Sequence, residues 1–69
     1  MNLKQDIGRQ IHDIRKMRGM TQTTLATLIG TTQDHISEIE AGNVNITMDY
    51  LLNIAKALDI NIVIKLNLK

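Results

Sequence analysis

The residues of this chain able to do chemistry are concentrated in one short stretch and one charge cluster. From Thr32 to Glu40 it reads TQDHISEIE, polar throughout except at Ile36 and Ile39. Two apolar residues three apart give a helix a narrow seam and leave the rest of its surface polar and outward. Residues 1–20 carry Lys4, Arg9, Arg15, Lys16 and Arg18 against Asp6 and Asp13, a local charge of +3 in a chain whose net charge is +1. Residues 21–42 hold three acids and no base, for −3, and residues 43–69 sum to +1. A basic end suits a polyanionic partner, although such a cluster also serves as an ordinary solvated face.

Catalysis is not expected. There is no glycine-rich phosphate loop, no pair of acids placed for a cleft, and no nucleophile spaced from a base. His12 and His35 lack metal-ligand spacing, and cysteine is absent, which removes disulfides and thiolate metal sites. No metal or cofactor is implied. Sixty-nine residues are also too few to enclose a pocket of several hundred Å3. The N-terminal stretch MNLKQDIGRQ has no apolar signal core, and no run approaches a membrane span, so a cytoplasmic protein without membrane contact is expected.

Four helices must position the polar stretch. Leu3, Ile7, Ile11, Ile14 and Met17 form one stripe of an amphipathic first helix, closed by Gly19. Thr21 caps a second helix in which Leu25, Ala26, Leu28 and Ile29 face inward, ending at Gly30. Thr31 or Thr32 caps a third, ended by Ala41-Gly42, and Thr47 caps a fourth containing Met48, Leu51, Leu52, Ile54, Ala55 and Leu58. Helices two and three are short and joined by a few residues, so they cross steeply, as in a helix-turn-helix. Ala26 is small where they meet, and Gly30 can take the positive φ of the turn. An ordinary helical hairpin with a solvated face meets the same spacing, and the residues alone do not separate the two.

TQTTLATLIGTTQDHISEIEAG resembles the DNA-binding core of Cro and phage-repressor type regulators, the XRE family. The likeness runs over about residues 7–60 as R..RG.TQ..LA...G.....IS..E.G followed by....LL.IAKAL. It implies an all-α, four- to five-helix lambda-repressor-like domain whose third helix enters the major groove, bound as a homodimer to a palindromic operator in double-stranded DNA.

Position by position, the resemblance implies base reading by Thr32, Gln33, Asp34, Ser37 and Glu38. A carboxamide such as that of Gln33 bonds adenine N6 and N7 together. Asp34 and Glu38 depart from the commoner amide or basic residues. They read C·G pairs through cytosine N4 or weaken non-specific binding. Gln22, Asn43 and Asn45 match phosphate-contacting positions, Lys16 and Arg18 are left for phosphate, and His35 faces phosphate or solvent. Arg15 and Glu40 match an ion pair that orients the third helix rather than touching DNA.

The last ten residues, INIVIKLNLK, carry apolar side chains at Ile60, Ile62, Ile64, Leu66 and Leu68. That period of two marks a half-buried strand, and no other segment alternates to pair with it. The expected organisation is a helix-turn-helix domain over 1–59 and a dimerisation strand over 60–69, the strand pairing with its own copy across a two-fold axis. Helix running into strand resembles the HipB-like antitoxins, which implies a repressor of its own operon with a HipA-like kinase toxin as partner. A stand-alone phage or mobile-element repressor, or a protein-binding adaptor that has lost DNA binding, are the alternatives.

Overall fold

Threonine caps start three of the four helices. The computed structural model describes residues 3–68, with α1 at Leu3–Met17, α2 at Gln22–Ile29, α3 at Gln33–Ala41 and α4 at Met48–Leu58. Met1, Asn2 and Lys69, the last residue of the expected strand, lie outside the described residues. The hydroxyls of Thr21, Thr32 and Thr47 accept from the backbone N–H of Thr24, His35 and Tyr50 at 3.0, 3.2 and 3.1 Å. Each cap satisfies an N–H that the helix itself cannot, an effect of about 1 kcal/mol. Of the two candidate caps for α3, Thr32 is the one used.

The helices also end alike. Gly30, Gly42 and Asp59 adopt the left-handed conformation, and the next residue's N–H returns to a carbonyl five positions back. At Gly30, with φ of 76°, the turn between α2 and α3 needs this conformation, and glycine takes it without steric cost. Asp59 takes it with a side chain, at φ of 56°.

All four helices contribute to one core of Ile11, Leu25, Ala26, Ile36, Ile39, Ile54 and Leu58. In it α1 packs on α3, and α2 packs on both α3 and α4. The α1–α3 contact is close because Gly8 is buried there. A Cβ on Gly8 would press on the backbone oxygen of Ile39 and come within 2.7 Å of that of Glu40. Gly8 carried no signal in the sequence, since a lone glycine inside a helical stripe looks like a weak point rather than a contact.

Three expectations need correction. The α1 stripe is shorter than its periodicity suggests: Ile11 is buried and Ile7 and Ile14 partly so, but Leu3 and Met17 are exposed. Leu28, expected to face inward, is 57% exposed, because a helix of eight residues turns only one narrow face to the core. Finally, residues 60–68 form no strand among the described residues. The helices offer no backbone edge, so a strand in a single chain has nothing to pair with. Among the described residues the fold is four helices and a largely exposed tail.

Candidate nucleic-acid interface

The start of α3 is organised by a chain of side-chain hydrogen bonds that begins in the interior. Arg15, on the last turn of α1, donates through Nε to Glu40 Oε2 at 2.6 Å and through a terminal nitrogen to Glu40 Oε1 at 3.0 Å. Its other terminal nitrogen donates to the Met20 carbonyl at 2.7 Å. The two side chains are 7% and 5% exposed, so this is an ion pair out of water. The hydrogen bond to Glu40 raises the Arg15 pKa above its ordinary value, aided by the attraction of the carboxylate and opposed by desolvation.

Glu40 has a third partner. Gln22 Nε2 donates to its Oε1 at 3.0 Å, and Gln22 Oε1 in turn accepts from Gln33 Nε2 at 2.6 Å. Every bond in this series donates toward the carboxylate, so each polarises the next. Gln33 is exposed at the first turn of α3 and keeps its oxygen and one N–H for another partner. Thr32, Asp34 and Glu38 are exposed around it, and Ser37 is half-buried. Ile36 and Ile39, 0% and 1% exposed, hold the opposite face of α3 in the core. The structure therefore brings the five candidate readers onto one outward surface.

A helix pair with an αL glycine between the helices, α3 seated on α2 and its polar face outward, is the arrangement of a helix-turn-helix. A family model described as Helix-turn-helix matches residues 11–64. The chain belongs to the XRE-type helix-turn-helix family. A protein of Sinorhizobium fredii (strain NBRC 101917 / NGR234), named Uncharacterized HTH-type transcriptional regulator y4dL, is 38% identical over 58 residues. That match takes in 84% of this chain but 30% of the relative, so the chain spans under a third of that protein's length. The crystal structure of the restriction-modification controller protein C.AhdI from Aeromonas hydrophila superposes with a TM-score of 0.79 at 32% identity, covering 83% of each chain.

Within this helix-turn-helix domain, two of the expected phosphate contacts are engaged elsewhere. Arg18 bonds within the chain. Its Nε donates to the Leu58 carbonyl and a terminal nitrogen to the Asp59 carbonyl, both at 2.9 Å, so it closes the C-terminal end of α4. Those carbonyls have no intrahelical donor, and a cation there is favoured by the helix dipole. His35 is half-buried, with Nδ1 2.8 Å from the Thr31 hydroxyl and 3.1 Å from the Tyr50 hydroxyl. Its ring lies 5.3 Å from that of Tyr50. His35 thus ties α3 to the turn before it and to α4. Lys16, Asn43 and Asn45 are exposed, and Gln22 is half-buried within the bonded series.

Tyr50 and the linking role of Gln22 are the functional features that the sequence reading missed. Tyr50 is the only aromatic residue in the chain and stands three residues after the Thr47 cap, which gave a usable signal. Nothing local marks Gln22 as a partner of Glu40, eighteen residues away. Among the described residues no helix is long and apolar enough to cross a membrane.

Proposed function

We propose that this domain binds double-stranded operator DNA as a homodimer and represses transcription, with α3 in the major groove. The observation that carries this reading is the bonded series from Arg15 through Glu40 and Gln22 to Gln33. It fixes a carboxamide at the outer end of α3 with one donor and one acceptor unused, the pair that adenine N7 and N6 require. Asp34, Ser37, Glu38 and the hydroxyl of Thr32 complete the reading surface, Gln22 positions Gln33, and Lys16, Asn43 and Asn45 contact phosphates. Residues 60–68 serve dimerisation beside the helical domain.

The domain acts as a stand-alone repressor. The relatives are named as a transcriptional regulator and a restriction-modification controller, and neither name supports a HipA-like kinase toxin as partner. The decisive experiment selects binding sites for the chain from a random-sequence DNA pool. Affinity for the winning site is then measured across salt concentrations. The expected result is a two-fold symmetric site whose binding weakens steeply as salt rises, because each phosphate contact releases a counterion. Failure to enrich any sequence would remove the reading role from α3.

A further inference from the structure

Two of the places where apolar residues are left uncovered complement each other. One is a groove of about 600 Å3 between the end of α2 and the second half of α4, lined by Leu28, Ile29, Asn53, Lys56 and Ala57. Leu52, beside it on α4, is 53% exposed. The other place is the tail, where Ile64 is 58%, Leu66 91% and Leu68 100% exposed. We propose that residues 63–68 of one copy lie along the α2–α4 groove of a second copy, and that the second copy returns its own tail in the same way. This rests on the dimeric reading above and specifies what holds the dimer together.

The tail's burial pattern supports a second copy as the occupant. Ile60 and Ile62 are partly buried while Asn61 between them is exposed, so alternate residues face the chain's own helices. That face continues through Ile64, Leu66 and Leu68, whose exposures climb from 58% to 100% as the tail runs beyond its own domain. Its exit is set by Arg18, which holds the Leu58 and Asp59 carbonyls, and by the Ile60 N–H bonded to the Ala55 carbonyl.

Length and area are compatible. Ile64 to Leu68 spans about 13 Å when extended, and α4 from Leu52 to its last residue, Leu58, about 9 Å. A buried aliphatic side chain removes roughly 60–120 Å2 from water. Ile64, Leu66 and Leu68 with the half-exposed groove residues then give about 400 Å2 per copy, or about 800 Å2 for the pair. That is the size of a small interface, of the kind that forms and parts reversibly. A reciprocal exchange also closes on itself, leaving no tail or groove to recruit a third copy.

The chain has no cysteine, so engineered thiols report one contact at a time. Full-length Asn53→Cys is mixed with Ile64→Cys, Leu66→Cys or Leu68→Cys, refolded together and treated with a mild oxidant. At least one mixture should yield a disulfide joining the two different variants, several-fold over either self-linked product. Tail variants that link only to one another would overturn the exchange in favour of tail-to-tail pairing. So would a Asn53→Cys/Leu66→Cys double variant that closes on itself at monomer mass. In sedimentation, Leu28→Glu should weaken self-association at least tenfold with the helical melt retained, and unchanged association would also overturn the exchange. Operator binding without the mixed disulfide sinks the exchange alone, and the mixed disulfide without operator binding sinks the DNA reading alone.

Discussion

Gln33 donates its side-chain amide to the side-chain oxygen of Gln22 at 2.6 Å, joining the first residue of α3 to the first residue of α2. The bond orients Gln33 before any DNA is present, so less side-chain freedom is lost on binding. Gln33→Ala is expected to cost about 1–3 kcal/mol at one operator base pair. Gln22→Ala should cost less, and less still when Gln33 is already Ala, because its role passes through Gln33. A double-mutant cycle of operator affinities measures this, and purely additive losses would show that the bond does not position the reader.

Arg15→Ala should destabilise the fold by about 3–5 kcal/mol, because Glu40 would keep its burial and lose its cation. Operator affinity should fall as well, since Gln22 and Gln33 are aligned through Glu40. Arg15→Lys should recover only part of both losses, as one ammonium cannot reproduce the three-way geometry. Denaturant melts and binding titrations on the same samples check this. Because the Arg15 pKa is raised on folding, its stabilisation is complete below the ordinary guanidinium value and is lost only as pH climbs through the raised one. Arg15 therefore adds no slope to stability between about pH 5 and 9.

The helices were legible because their signals are local: a threonine before each of the last three, and a glycine after three of the four. Ile36 and Ile39 likewise marked the inner face of α3 from spacing alone. The linkage of Gln22 to Glu40 and Gln33, and of Arg18 to the backbone at the end of α4, joins groups 11 to 41 residues apart, and no periodicity encodes that. Arg18 looked available for phosphate because a basic residue near a basic cluster carries no mark of an intramolecular acceptor. The tail alternates as a strand does, but alternation specifies a face to bury and not the chain that buries it.

Gly8→Ala is expected to push α1 away from the carbonyls that end α3 and to destabilise the domain by about 1–3 kcal/mol, the usual range for overpacking. On helix propensity alone the same change would stabilise by up to about 1 kcal/mol. The two effects have opposite signs, so a thermal melt decides between them. A higher melting temperature would mean that α1 and α3 part without loss.

Lys16 and Arg18 are two cations at one end of α1, and the structure separates them. Lys16 is exposed and has no hydrogen-bond partner among those described, whereas Arg18 bonds two carbonyls at the end of α4. Lys16→Ala should leave the melt within about 0.5 kcal/mol, as surface changes usually do. It should weaken binding to operator and unrelated DNA alike and reduce the slope of log affinity against log salt by about 1. Arg18→Ala should do the reverse. Stability should fall by about 1–3 kcal/mol, as for other hydrogen bonds to charged groups. The salt slope should stay at its original value, because no phosphate contact is removed. Loss of the α4 clamp should also loosen the exit of the tail and weaken dimerisation, which sedimentation would detect. A reduced salt slope in Arg18→Ala, with melting unchanged, would return Arg18 to the phosphate contacts.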